Sequence, residues 1–530
     1  MTEGNASNTV NRERLFWGIC LALLPTAFSF VLVSNILNQL KTEFILTNGQ
    51  VGYIGGAALW GMAVSLLTVG PFLEKIGFKR ATQGAFVGHL AGVTLFLAAY
   101  PFAGEPYAFW ILFLGAIGFG AGNGMIEVAG NPMVTSLYPK NKTTKLNHFH
   151  AFFPGGMVFG GLLGWVMTQI GVIGPVNIGH WTLQIAIIYI PIFAYGAMIL
   201  PEKFPKSETE EAGIPFMEVV KYTFTHPLVI GLILLKMVTL SIEMGPSRWI
   251  PEVLQAAGVH GMLVFVWISG LMMVLRMFAA PFVEKFSPTG MLLGASVLTG
   301  SGLLMFAFIE SGLVPLMLAG TVFACGVAFY FPTMVGLMSE RFPKAGSLGI
   351  VLMIGMGFLA AGGSNAIMGE IADSYLPDGL DKQQTISVLE QVEQRYPSYV
   401  EQAEAVSGNM EALADLGYRA VDVQNALNHT QNALEYYRGN NAFDGTSTGN
   451  ALRAIVDSGV SQEEELITTA SAVLRPADNY GGRMSFYWIG PVGFLVAIVF
   501  LILFINDKKK GGYQAVRLEK QEVEEPLETK

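Results

Sequence analysis

The sequence predicts an all-α membrane protein: twelve transmembrane helices in two six-helix bundles, with an extra helical domain on the outside. Three observations carry that expectation. Of 530 residues, 52% are hydrophobic and 13% are charged, about half the charge of an ordinary soluble chain. Apolar runs of about 20 residues, long enough to cross a bilayer, recur twelve times. Two short stretches also repeat roughly 200 residues apart, at equivalent places in the topology.

The spans are expected near residues 15–38, 48–69, 81–101, 108–137, 147–172, 181–200, 226–248, 259–280, 289–309, 313–338, 347–370 and 485–506. Residues 1–14 are polar and precede a long first span, so no cleavable leader is expected there. Cys20 and Cys325 fall inside spans, which implies neither a disulfide framework nor a thiolate metal site. Basic residues fix the orientation. Arg12 and Arg14, then Lys75, Lys79 and Arg80, then Lys140, Lys142 and Lys145, then Lys285, Arg341, Lys344 and Lys508–Lys510 all fall on one side of twelve spans. Both termini are therefore expected in the cytoplasm, with the protein in the cytoplasmic (inner or plasma) membrane.

The repeat divides the chain. "GPFLEKIG" at 70–77 matches "APFVEKFS" at 280–287, and "LYPK" at 137–140 matches "RFPK" at 341–344. The expected organisation is a cytoplasmic segment 1–14, a bundle over 15–200, a linker 201–225 and spans 7–11 over 226–371. An external insertion 372–483, span 12 over 484–506 and a tail 507–530 complete it. The insertion carries 17 acidic and 7 basic residues, a net of −10 against −9 for the whole chain. Its apolar residues recur at three- and four-residue spacings, the pattern of amphipathic helices. A solvated helical cap is the plain reading; no protein partner for it is identified.

Between Pro106 and Pro139 the one charged residue is Glu127. A charge at mid-bilayer costs about 2.5–3.5 kcal/mol on insertion scales, so such a group marks a pathway or a relay. Asn123, Glu127 and Asn131, at i, i+4 and i+8, form one polar stripe on span 4. "GFGAGNG" beside them is no dinucleotide loop, since no strand precedes it. On span 5, Asn147, His150 and Pro154 share a face, and His150 opposite Glu127 would make a proton-exchanging pair. His148 points elsewhere. On span 7, Lys236, Glu243 and Ser247 align. Lys236 and Arg276 of span 8 are expected to snorkel to the cytoplasmic head groups, a gate pair being the alternative. His89 of span 3 receives no role. No metal site, cofactor or nucleic-acid partner is implied.

The segment with Gly70, Glu74, Lys75, Gly77, Lys79 and Arg80 resembles the loop signature of the major facilitator superfamily. The resemblance implies that Glu74 meets the positive end of a neighbouring helix and latches the cytoplasmic side. Glu284 and Lys285 are the second-half copy. Within that superfamily, "GMIEVAGNPMV" followed by "LNHFHAFFPGG" resembles the fucose–proton symporter family, as do "EMGPSRWI" and "YFPTMVGLMSERFPKAG". Glu127, Asn131, Pro132, Asn147 and His150 take that family's positions. The fucose permease carries a second proton-linked aspartate on span 1. Aligned through Leu46, Thr47 and Asn48, Ser34 stands there instead.

The resemblance implies a secondary transporter, not an enzyme, that takes up a sugar with a coupling cation, a proton or else sodium, by alternating access. Glu127 and His150 would carry the proton. Ser34, Asn35, Asn38, Gln39, Asn123, Asn131, Asn147 and Glu243 would bind sugar hydroxyls. An aromatic ring would stack on the sugar, with Trp60 and Trp267 as candidates. The alternatives are a carrier or exporter of another small solute, and a non-transporting sensor that uses the external domain.

Overall fold

The computed structural model describes residues 10–44, 46, 48–406 and 416–518. Helices dominate. Span 1 is α1 (Arg12–Leu21) and α2 (Leu23–Glu43), followed by α3 (Asn48–Thr68), a short α4 (Leu73–Ile76), α5 (Phe78–Leu97), α6 (Ala108–Leu137) and α7 (Lys142–Ile170). A two-stranded hairpin pairs Val172–Ile173 with Val176–Asn177 before α8 (Trp181–Ala186) and α9 (Tyr189–Ile199) close the first half. The linker forms α10 (Glu208–Glu211) and α11 (Phe216–Thr225). The second half runs through α12 (Pro227–Ala256), α13 (Gly261–Met277), α14 (Ala280–Phe308), α15 (Leu313–Arg341) and α16 (Gly346–Tyr375).

Among the described residues, 11 helical segments are long and apolar enough to cross a membrane, and Gly261–Met277 is a shorter apolar helix that completes the twelve. Trp165, Phe193, Leu318 and Ile502 stay exposed on the outside. In lipid such faces need no covering, and backbone groups are satisfied within each helix. The chain is an integral multi-pass membrane protein. In the first half α6 packs on α3 and α5; in the second, α12 packs on α16 and α14 on α15. The halves meet where α7 crosses α13 and α15, and where α3 crosses α16.

The repeated loops explain the crossings. Gly70 ends span 2, and a Cβ there would lie 2.1 Å from Val351 Cγ1 of α16. Only glycine permits that approach. Gly77 turns the chain at φ +79°, ψ 154°, a conformation essentially confined to glycine. Its counterpart in the second half, Ser287, adopts φ 59°, ψ 161° inside α14. The repeat is thus a repeat of backbone conformation, kept even where the residue is not glycine.

The cap has its own core. It consists of α17 (Lys382–Ala405), α18 (Ala420–Asn440), α19 (Gly445–Val456) and the start of α20 (Glu464–Lys509). Val388, Val392, Tyr396, Val423, Leu434, Leu452 and Ile455 are buried together, apart from the membrane core. Tyr396 and Ser458 share a hydrogen bond of 3.0 Å at its centre. Arg453 Nη2 ties the cap to the bundle by donating to Asp373 (3.1 Å) and Asp478 (2.7 Å). The sequence boundary at 483 falls inside α20, whose 46 residues join cap stem and span 12 in one rod. The helix continues through Pro476, Gly481, Gly482 and Pro491. Residues 407–415 of the insertion, 1–9 of the first segment and 519–530 of the tail lie outside the described residues.

Candidate transport site

Glu127 lies two thirds of the way along α6 and is 4% exposed. Asn131, one turn on, donates from Nδ2 to Glu127 Oε2 at 2.7 Å and to the Glu127 main-chain oxygen at 2.9 Å. Its amide oxygen is left to accept, and His150 Nε2 of α7 sits 2.8 Å from it. That arrangement puts a proton on Nε2 of the imidazole. Glu127 and His150 therefore communicate through Asn131 rather than face each other directly.

The opposite wall corrects the snorkelling expectation. Lys236 of α12 is 0% exposed and Arg276 of α13 is 2% exposed. Arg276 donates from Nε to the Ala328 main-chain oxygen (2.6 Å), from Nη1 to the His150 main-chain oxygen (3.1 Å) and from Nη2 to Glu243 Oε1 (3.3 Å). It therefore joins both halves. Lys236 Nζ lies 3.6 Å from the centroid of the Phe331 ring. Among the described residues it has no hydrogen-bond partner, nor has Glu243 Oε2 or Asn147 Oδ1. The other face of the site is aromatic: the His150 and Phe331 ring centroids are 4.6 Å apart. Long side chains snorkel only where a head group is in reach; these two helix faces turn into the inter-half interface.

Several expected ligands go elsewhere. Asn123 is fully buried, 2.9 Å from His89 Nε2, and it donates to Ser29 Oγ at 3.2 Å. His89 continues to the Tyr195 hydroxyl at 2.9 Å. This chain packs spans 1, 3, 4 and 6 together. Steps of four residues turn a helix 40° past a full circle, so Asn123 and Asn131 point about 80° apart. Asn35 donates to Gln184 Oε1 (2.7 Å) and Gln39 to the Gly179 main-chain oxygen (3.0 Å). Both amides serve packing within the first half. Ser34 is exposed and donates to its own helix at Phe30. The Asn38 side chain lies outside the described residues. Asn147 donates to Thr143 and, across the interface, to Thr333 Oγ1 at 3.4 Å. The ring beside the site is Phe331. Trp60 instead contacts Tyr53 and Phe113, and Trp267 donates to Thr321.

At the basic end of the bundle, Glu74 accepts from Ser207 Oγ (2.6 Å), Thr209 Oγ1 (2.9 Å) and the Ser347 main-chain N–H (3.4 Å). Ser347 sits in the first turn of α16, where free N–H groups favour a carboxylate. The linker thereby joins the Glu74 contacts between the halves. Lys75 lies over Phe216, and Lys79 donates to the Glu202 main-chain oxygen. Arg80 is exposed. Glu284 and Lys285 are exposed, and neither makes an ion pair among the described residues. In their place Glu340, at the end of α15, accepts from the Thr143 N–H (3.0 Å) and hydroxyl (2.7 Å) in the first turn of α7. Lys142 bridges to Glu208 at 2.6 Å. Burial raises the Glu208 carboxyl above its ordinary range, and the ammonium of Lys142 opposes that shift. Glu340 stood in the quoted run "MSERFPK", but its role depends on a neighbour 197 residues away.

Two bundles, a buried charge cluster between them and closed contacts at one end define a membrane transporter. The family model of the Major Facilitator Superfamily matches residues 19–369. The chain belongs to that superfamily, whose members are transporters rather than enzymes. It is similar to the gentisate transporter of Corynebacterium glutamicum, 24% identical over 245 residues, 44% of this chain and 51% of that protein. It is also similar to the L-fucose-proton symporter of Escherichia coli, 31% identical over 128 residues, 23% of this chain and 28% of that one. The chain thus spans about half the length of the first of these curated relatives and less of the second. Among solved structures, FucP in the outward conformation superposes with a TM-score of 0.56 at 18% identity, over 68% of this chain and 92% of that one. The proton:xylose symporter XylE bound to 6-bromo-6-deoxy-D-glucose gives 0.57 at 14% identity, over 68% and 88%. These likenesses show the fold.

Proposed function

We propose that the protein is a proton-coupled symporter of a small polyhydroxylated solute of the sugar class, working by alternating access. The observation that carries this reading is the chain Glu127–Asn131–His150, buried at the interface, where Arg276 of the other half donates to the His150 main-chain oxygen. A carboxylate held by neutral partners can take up and release a proton as the halves rock. In this reading Glu127 is the coupling group, and Asn131, Asn147, His150 and Glu243 line the substrate path. Glu74, Gly70, Gly77 and Glu340 hold the basic end shut. Lys75, Lys79 and Arg80 favour a cytoplasmic position for that end and both termini, and in that orientation the described state is closed inward. The fucose-proton symporter among its relatives favours the same reading. The gentisate transporter favours a second one, in which the cargo is an organic anion. Uptake of labelled sugars into proteoliposomes, with and without a proton or sodium gradient, tests both. Accumulation that follows the proton gradient is expected. Accumulation indifferent to it would rule the coupling out.

A further inference from the structure

Resting on the proton-coupled reading, we propose that the cargo is a sugar acid whose single carboxylate docks on Lys236, and that it crosses together with one proton on Glu127. Around the Glu127–Asn131–His150 chain lie two buried cations, Lys236 and Arg276, and two buried carboxylates, Glu243 and Glu127. Arg276 is committed to Glu243 at 3.3 Å and to two main-chain oxygens. Lys236 is the cation left over: it is fully buried, its Nζ lies over the face of Phe331, and it has no hydrogen-bond partner among the described residues. An ammonium removed from water without a hydrogen-bond acceptor is strongly unfavourable.

The charge sum gives the coupling. With Glu127 ionised and His150 neutral, two cations balance two anions. Protonating Glu127 leaves one positive charge over, and a monoanionic cargo cancels it. The empty ionised carrier and the fully loaded carrier are then both neutral, while either half-loaded form holds an uncompensated charge at the centre of the membrane. A neutral sugar lacks this property: its hydroxyls can accept from Lys236 but cannot balance it. Two further orphaned atoms, Glu243 Oε2 and Asn147 Oδ1, are acceptors. They call for donors on the same cargo, which hydroxyl groups supply. One anionic acceptor and several hydroxyl donors describe an aldonate or a hexuronate.

The test uses the full-length protein in proteoliposomes. Labelled D-glucuronate, D-galacturonate and D-gluconate are compared with L-fucose, D-galactose and D-glucose under an inward proton gradient. The acids are expected to accumulate at least tenfold above the neutral sugars. Proton and monoanion move no net charge, so a membrane potential set by valinomycin without a pH difference should drive no uptake. Lys236→Met should lose acid uptake more than tenfold, and Lys236→Arg should restore most of it. If Lys236→Met does not fold, the potential measurement on the unaltered protein decides. Accumulation of neutral sugars that the acids do not inhibit would overturn the assignment and leave proton-coupled sugar uptake standing. Acid uptake driven by potential alone would overturn the charge balance. Acid uptake independent of the proton gradient would remove both readings.

Discussion

The two halves each bury a carboxylate at the interface and hold it differently. Glu127, in the first half, rests on an amide backed by an imidazole. Glu243, in the second, rests on the guanidinium of Arg276. Neutral partners leave a carboxylate able to exchange a proton, whereas a guanidinium holds it ionised. Under the proton-coupled reading proposed above, the same residue type would be a moving charge in one half and a fixed one in the other. The latch loops repeat the lesson. Both copies keep the turn, at Gly77 and Ser287, yet among the described residues Glu74 has three donors and Glu284 has none.

The largest expected difference separates the two carboxylates. Glu127→Gln keeps the shape and the Asn131 contact but cannot titrate. It should abolish gradient-driven accumulation while leaving counterflow exchange measurable. Full uphill transport by this variant would erase the distinction between the halves. Glu243→Gln should fail in another way. It strands Arg276 at a buried site, and breaking such a pair costs about 3–5 kcal/mol. A large fall in melting temperature in detergent is expected; an unchanged melt would mean that Arg276 is satisfied by its main-chain bonds alone.

The latch comparison comes next in size. Glu74→Ala removes hydrogen bonds to a charged group, each worth about 1.5–3 kcal/mol. The balance should move toward the inward-open state about tenfold or more, since 1.4 kcal/mol is one decade. Glu284→Ala should move it little. Alkylation rates of single cysteines on the two sides of the bundle would report both. Equal effects would restore the sequence symmetry that the contacts break. The smallest effect concerns the turn itself. Ser287 holds a backbone conformation that costs a non-glycine residue about 1–3 kcal/mol. Ser287→Gly should raise the melting temperature by a few degrees, and Gly77→Ser should lower it.

The fold was legible because its signals are local. Apolar runs, loop charge and the echo of residues 70–77 in 280–287 each lie within short windows. Glu127, Asn131 and His150 were legible as a group for a related reason: one turn of helix separates the first two, and a lone charge in a span advertises itself. The rest depended on neighbours far off in the chain. His89 gave no signal because its partners, Asn123 and Tyr195, lie on two other helices. Asn35 and Gln39 belonged to a polar face whose partner, the hairpin end of the first half, carries no mark in their own segment.

The sequence by itself determined the helices, their number, the division into halves and the placing of an isolated carboxylate in span 4. Hydropathy and the 3.6-residue period settle these before any contact forms. Tertiary structure alone decided the depth of Lys236 and Arg276, the choice of Phe331 over Trp60 and Trp267, and the replacement of Glu284 by Glu340. It also decided the fusion of cap stem and span 12 into one helix. A long cationic side chain can reach water or an opposing wall from the same place on a helix. Which it meets depends on how α12 and α13 rotate against α7, and that rotation is fixed by packing between the halves.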